Sequence, residues 1–308
     1  MEVEVYSNIL KIINEKSTRD ECFAEIKSKY SDQINYEQFS SIYGQQKRRI
    51  FKTNQWKRAK ENTLNLYFKY QQLSSHNHRQ KSSKPDTIIS IAHEHNIPPI
   101  LMARLILEGY SKHNNLENLI EIFKNGSLNK TLTNTNIESL NLTKIINLCI
   151  KETYLIKDEI LAAELFACCI NDEDFGPCID IVKNFIGVEY EQKLCKILKE
   201  NKIVFQTEEQ LRIKGFDKTP DFKLEIPICI NDKIINWIES KASFGDSQNH
   251  QQYYEDQFKG YLNRFGPGLV IYWFGFVKDL TDKYSSIIIC DSFPSTFTSI
   301  DVNNADIM

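Results

Sequence analysis

Two alternating runs, "DFKLEIPICI" (Asp221 to Ile230) and "KIINWIESKA" (Lys233 to Ala242), flank the pair Asn231-Asp232. Period-two alternation of Ile, Phe and Trp with polar residues predicts two strands, and Asn-Asp between them predicts a tight turn. No other feature constrains the fold as much. A slip of one residue in this hairpin would turn every side chain to the opposite face. The hairpin also raises a problem. Asp221, Glu239 and Lys241 stand among Ile226, Ile235, Trp237 and Ile238. Charges in such company are costly unless they are paired or hold a metal.

Alternate residues share a face, so Glu239 and Lys241 are expected to point with Trp237 and Ile235. Asp221, Lys223 and Glu225 share one face of the first strand; Phe222, Leu224 and Ile226 share the other. A two-residue turn pairs Ile230 with Lys233 and leaves Asp221 opposite Ala242, on the wrong face. A three-residue turn or a bulge shifts the parity, opposes Glu225 to Glu239 and brings Asp221 to their side. Two carboxylates and an amine then converge. Like charges this close repel, and one carboxyl stays protonated unless a cation joins. The ligands are hard oxygens, with only Cys229 as a nearby soft atom, which favours Mg²⁺ or Mn²⁺ over Zn²⁺. A metal held by Asp221 and Glu239 beside Lys241 suits phosphodiester hydrolysis. An exposed salt-bridge ladder across the hairpin is the competing reading of the same residues.

Around the hairpin the order of elements is α/β. A helix from about Ile179 to Glu200 precedes "KIVFQ"; the helix "SQNHQQYYEDQFKGYLNRF" then leads to "GLVIYWFGF" and "SSIIICD". The first 170 residues read as helical, with Trp56, Leu64, Phe68 and Leu73 available for a buried face. The boundary is placed near residue 172: a helical domain over 1–172, an α/β domain over 173–293 and a tail over 294–308. "SSHNHRQKSSKP" (Ser74 to Pro85) and the Asn/Thr-rich stretch from Asn125 to Thr143 read as loops. In "DTIISIAHEHNIPPILMARLILEGY" a helix runs into a turn, and Pro98 and Pro99 open a second helix. The pair is either a helix-turn-helix or an ordinary helical hairpin.

Net charge is −3, yet residues 41–90 hold 11 Lys/Arg against 2 Asp/Glu. The densest part is Lys47, Arg48, Arg49, Lys52, Lys57, Arg58 and Lys60. It reads as a phosphate-binding strip that doubles as a nuclear import signal, or as a solvated helix face. Arg104 in "ILMARLIL" and Arg264 in "RFGPG" are further candidates for nucleic-acid contact. None of the 8 cysteines forms a CxxC pair, which favours reduced thiols in the cytoplasm or nucleus. The start "MEVEVYSNIL" lacks a basic secretory n-region, and the longest apolar run is too short to span a bilayer. "HNH" (His76 to His78) lies in a predicted loop, "HEH" (His93 to His95) in a predicted turn, and His250 at a polar helix start expected to face solvent.

Pro220-Asp221 followed by Glu239-Ser240-Lys241 resembles the PD-(D/E)xK nuclease superfamily. The longer string "KTPDFKLEIPICI…WIESKASFGD" with "DQFKGYLNRFGPGLVIYWFGF" resembles its TPD family, named for Thr219-Pro220-Asp221. The likeness is strong from about Gly187 to Phe276 and weaker at "IAHEHNIPPILMARLILEGY". It implies a restriction-endonuclease-like core, a mixed sheet flanked by helices, behind an all-α N-terminal domain with helix-turn-helix elements. It implies Asp221 and Glu239 as metal ligands and Lys241 as the catalytic lysine. It also implies a glutamate on the preceding helix (Glu191, with Glu189 competing) and a glutamine on the following one, Gln257. Tyr261 lies one turn beyond Gln257. A codanin-type protein partner is implied as well. Three functions remain in competition: a metal-dependent, resolvase-like nuclease on DNA or structured nucleic acid; a non-catalytic module docking a large partner; and a helix-turn-helix DNA binder whose second domain forms a homodimer.

Overall fold

In the computed structural model, residues 1–16, 18–31, 33–79, 86–121, 141–283 and 286–299 are described. The strands β1 (Phe205–Thr207), β2 (Phe222–Ile230), β3 (Lys233–Lys241), β4 (Gly268–Tyr272) and β5 (Ile287–Cys290) lie side by side in that order. A short β6 (Thr298–Ser299) pairs with Ile228 and Cys229 of β2, so part of the expected tail returns to the sheet. The first three strands pair antiparallel, and β3, β4 and β5 run parallel. The turn has two residues: Ile230 pairs with Lys233, and Asn231 and Asp232 take φ of 50° and 61°. Both conformations are left-handed, as a tight hairpin turn requires.

The parity problem is solved inside the strands. The register runs Ile228↔Ile235 and then Lys223↔Trp237, so β2 spends five steps where β3 spends two. The difference is odd; the next pair is Phe222↔Ile238, and one step further Asp221 comes opposite Glu239. Glu225 does not oppose Glu239; it is exposed and accepts a bond from the Gln206 side chain at 3.1 Å. The irregularity also separates Ile235 from Trp237. Ile235 packs with Leu194, Leu198, Ile238 and Leu269, whereas Trp237 packs with Phe258, Tyr261, Val270 and Tyr272. These are the two faces of the sheet. The first is covered by α10 (Pro177–Glu200) and the second by α12 (Ser247–Tyr253), a π-helical turn at Tyr254–Phe258, and α13 (Lys259–Phe265). Gly268 lets Trp237 lie flat on β4: a Cβ there would stand 2.1 Å from the indole.

The chain folds as two compact units, residues 47–183 and residues 1–46 together with 184–308. The single boundary near 172 therefore divides the chain differently from the structure. The helices α1 (Val3–Glu15), α2 (Arg19–Tyr30) and the start of α3 (Tyr36–Ile50) belong with the sheet. Their apolar stripes (Ile9, Ile13, Ile26, Phe39, Ile42) close over Phe244 and Val277. Ser41 Oγ accepts from the Phe244 N–H at 2.8 Å, Gln45 donates to the Phe244 carbonyl at 3.0 Å, and the Met1 amine donates to the Phe276 carbonyl at 2.7 Å.

The unit of residues 47–183 is helical: α4 (Trp56–Glu61), α5 (Thr63–Arg79), α6 (Thr87–Glu94), α7 (Pro99–Glu121), α8 (Leu142–Lys151) and α9 (Glu159–Asn171) surround one core. Helix α5 continues to Arg79, so only 80–85 of the predicted loop fall outside the described residues, as does most of the Asn/Thr-rich stretch. Its buried face is Thr63, Leu66 and Tyr67, while Leu64, Phe68 and Leu73 are exposed. The reason is Gly109 on α7: a Cβ there would meet the Thr63 carbonyl at 2.4 Å and the Tyr67 Cβ at 2.6 Å. A side chain at 109 would push the helices apart, so the bare backbone sets which face of α5 turns inward. The turn between α6 and α7 forms, with Asn96 at φ 52°. Helix α7 is 23 residues long, and Ile100, Met102, Ala103, Leu105, Ile106 and Leu107 are buried. A helix apolar on most sides belongs in a core.

Candidate active site

Residues 216–221 approach the sheet as an irregular segment with bends at 217, 218 and 221. The Thr219 carbonyl accepts from the Tyr261 hydroxyl at 2.7 Å, and the Thr219 hydroxyl donates to Glu208 at 3.3 Å. Arg264 donates to the Lys218 carbonyl at 2.9 Å and to Asp217 at 3.0 Å, while lying over the Phe216 ring. Arg264 thus holds this approach segment in place. The Asp221 carbonyl accepts from the Glu208 N–H at 3.1 Å, where α11 (Glu208–Ile213) begins. With its backbone fixed on both sides, Asp221 presents Oδ2 to the Ser240 N–H at 2.7 Å, and its own N–H donates to Glu239 Oε2 at 3.3 Å.

Glu239 is 3% exposed and its Oε1 accepts from Lys241 Nζ at 2.6 Å. Lys241 Nζ also donates to Gln257 Oε1 at 3.0 Å and lies 4.8 Å from the centre of the Tyr253 ring. Gln257 reaches it from the π-helical turn, which adds one residue to a helical turn and re-aims the side chains beyond it. Burial and then the Glu239 charge push the Asp221 pKa well above the ordinary carboxylate range. Burial acts to lower the Lys241 pKa, but the Glu239 and Asp221 charges outweigh it and hold the ammonium above its ordinary range. Partial burial and then the Glu208 and Glu239 charges raise the Glu191 pKa, with Lys241 opposing. Glu191 therefore shares the electrostatic field of the site from α10.

The structure brings Asp221, Glu239, Lys241 and Gln257 together, as a converging group on one face. Glu208, Thr219 and Ser240 join them unforeseen. The only advance sign of Glu208 was the capping pattern Thr207-x-x-Gln210, which places it at a helix start. Other candidates lie elsewhere. Arg104 is half-buried and donates to Asn147 at 2.6 Å, inside the helical unit. Lys47, Arg48 and Arg49 are half-buried at the end of α3, Lys52 and Lys60 are exposed, and the Lys57 and Arg58 side chains lie outside the described residues. His250 does not face solvent: it is fully buried, with Nδ1 2.9 Å from the Tyr272 hydroxyl, because the polar start of α12 turns this one residue onto the sheet.

Among the described residues no group of three or more His, Cys, Asp or Glu is placed to hold a metal. The donor set is two carboxyl groups, with one ammonium paired to Glu239. Without a cation, burial and the Glu239 charge keep Asp221 protonated; ionising it would leave one surplus negative charge in a buried place, which a cation taking part of its shell from water fits.

A family model described as "Protein of unknown function TPD sequence-motif" matches residues 157–293. The zebrafish (Danio rerio) protein named CDAN1-interacting nuclease 1 is 32% identical over 296 residues, 96% of this chain and 90% of its own. The chain belongs to the TPD family. The proteins of the same name from Homo sapiens (38% over 221 residues, 71% of each chain) and Gallus gallus (31% over 296 residues, 96% and 95%) are relatives of this TPD chain too. No solved structure gives a significant match. Among the described residues, no helix is long and apolar enough to cross a membrane.

Proposed function

We propose that this TPD-family chain is a metal-dependent nuclease, hydrolysing phosphodiester bonds in DNA or structured nucleic acid on a restriction-endonuclease-like scaffold. The observation that carries the reading is the convergence of Asp221, Glu239, Lys241 and Gln257 on one sheet face. Asp221 and Glu239 would hold Mg²⁺ or Mn²⁺, which when bound polarises phosphate and water. Glu239, Gln257 and the Tyr253 ring orient the Lys241 ammonium. Its charge is thereby fixed beside the carboxylates before substrate arrives, and it offsets negative charge developing on the phosphate. Glu191 is the acid on the neighbouring helix best placed to accept a proton from water.

The basic residues from Lys47 to Lys60 supply phosphate contacts, and the reduced thiols suit the cytoplasm and nucleus. The relatives' name couples nuclease with an interaction, which favours a second role, docking a codanin-type partner; the two roles are compatible. The test is cleavage of duplex, flap and four-way substrates with Mg²⁺ or Mn²⁺, by wild type and Glu239→Ala. Metal-dependent cutting that the variant loses is expected. Cutting by both would take Glu239 out of the chemistry, and cutting by neither would leave docking as the function.

A further inference from the structure

Beside the catalytic strand lies an aromatic group that the nuclease chemistry does not use. The Tyr190 and Trp273 rings stand 5.2 Å apart at 39°, and Phe274 meets Tyr190 edge-on at 5.4 Å. Lys193 Nζ sits 4.7 Å from the Trp273 ring centre and 5.1 Å from that of Tyr190. Both rings are half-exposed and Lys193 is exposed. The group is tied directly to the site. Trp273 Nε1 donates to Ser240 Oγ at 2.8 Å, its N–H donates to the Lys241 carbonyl at 3.1 Å, and Ser240 donates its own N–H to Asp221. Tyr190 immediately precedes Glu191 on α10.

The surroundings are acidic: the Glu37 and Glu189 charges act on Tyr190, and Glu191 follows it. Phosphate attraction alone cannot hold a strand here. Stacking can, because every base has a π face and stacking does not depend on its charge. Lys193 lies across the same rings and supplies one cation for an adjoining phosphate.

We propose that Tyr190 and Trp273, with Lys193, form a platform on which an unpaired nucleobase stacks beside the cleavage site. The substrate class is then nucleic acid with single-stranded nucleotides next to duplex (an overhang, flap or open junction) rather than uninterrupted duplex. This rests on the nuclease reading for its biological sense, but the platform itself is tested by binding.

The full chain carrying Glu239→Gln, which separates binding from cutting, is titrated by fluorescence anisotropy with three probes in the presence of Mg²⁺. These are a blunt duplex, the same duplex with overhangs at either end, and the overhang duplex with abasic residues in the unpaired part. The overhang probe is expected to bind roughly tenfold tighter than the other two, the scale of one stacked base. Adding Tyr190→Ala should erase that preference, and Tyr190→Phe should keep it, because the ring and not the hydroxyl stacks. Equal binding of all three probes, or an overhang preference that survives Tyr190→Ala, overturns the platform. Cleavage by wild type reads the nuclease activity separately. A chain that cuts duplex and overhang alike, with Tyr190→Ala unchanged, keeps its nuclease reading and loses the platform. A chain that cuts nothing but shows the binding pattern keeps the platform as a nucleic-acid site.

Discussion

At Asp221 two demands oppose each other. The segment that leads in from Thr219 fixes it opposite Glu239, and that position costs it its charge. Its folded pKa lies above the unfolded value of about 3.9. Between those values the folded chain holds a proton that the unfolded chain has released, so its contribution to stability falls as pH rises through that window. Asp221→Asn removes the penalty. Without metal at pH 7 the variant should melt higher than wild type, and the gap should close as pH falls toward about 4, the unfolded value. Mg²⁺ should stabilise wild type, by mass action on the folded site, and not the variant. Thermal melts across pH, with and without Mg²⁺, check both; an Asn variant that keeps the full Mg²⁺ response would remove Asp221 from the metal site. Lys241 carries the complementary cost. Its side chain is 16% exposed and paired with Glu239, so Lys241→Ala leaves two enclosed carboxylates with no cation. Breaking such a pair costs about 3–5 kcal/mol. The expected result is a lower metal-free melting temperature, a larger Mg²⁺ response than wild type, and cleavage reduced roughly a hundredfold or more. A melting temperature and cleavage rate like those of wild type would return Lys241 to an ordinary ion pair.

Among the elements, the hairpin was legible because "DFKLEIPICI" alternates, "KIINWIESKA" is rich in strand-forming Ile and Trp, and a strong turn signal joins them. The need for an odd shift between Asp221 and Glu239 was legible too, since it comes from counting residues against a period of two. The site of the shift had one sign, Pro227: it has no N–H for the ladder and within a strand marks an edge or a bulge. It lies inside the break between Lys223 and Ile228, and that break is what sends Ile235 and Trp237 to different faces. The π-helical turn under Gln257 was hidden, because one extra residue in a helix hardly disturbs an apolar pattern read over several turns. Close backbone approaches are equally silent, because a glycine inside an element looks like a weak point until its neighbour is known. Gly268 opposes Trp237, whose indole N–H donates to the Gly266 carbonyl at 2.8 Å. Gly268→Ala must displace that indole, two residues from Glu239. Overpacking of this kind costs about 1–3 kcal/mol. Urea unfolding should register the loss, and the Mg²⁺ response should weaken with it; an alanine variant of wild-type stability would mean that Trp237 does not rest on β4 as described.

For the whole molecule, periodicity marked helices but not their neighbours: on α5 it picked residues that are exposed, Leu64, Phe68 and Leu73, and it put α1, α2 and the start of α3 with the wrong neighbour. Their stripe closes over Phe244 and Val277, three residues past Lys241 and just past β4. A fragment of residues 173–308 would leave those two side chains in water and the Phe244 backbone without Ser41 and Gln45. It should lack a cooperative thermal transition by near-UV circular dichroism, whereas a fragment that melts cooperatively and answers Mg²⁺ would show the helices to be dispensable. Charge is distributed on a different plan. The dense positive run, Lys47 to Lys60, belongs to the compact unit that starts at residue 47, and the carboxylates of the site belong to the other. A site rich in acid binds a polyanion poorly by itself, so on the nuclease reading the affinity for duplex should come from the run. If its side chains meet phosphates, log K should fall with log salt at about −0.9 per phosphate neutralised. Gln at Lys47, Arg48, Arg49, Lys57 and Arg58 should flatten that slope and weaken binding to every sequence alike, since phosphate contacts position a strand without reading it. Anisotropy titrations from low to moderate salt measure the slope for both proteins. An unchanged slope would make the run a solvated face, and the phosphate contacts would have to lie on the other basic residues of the chain.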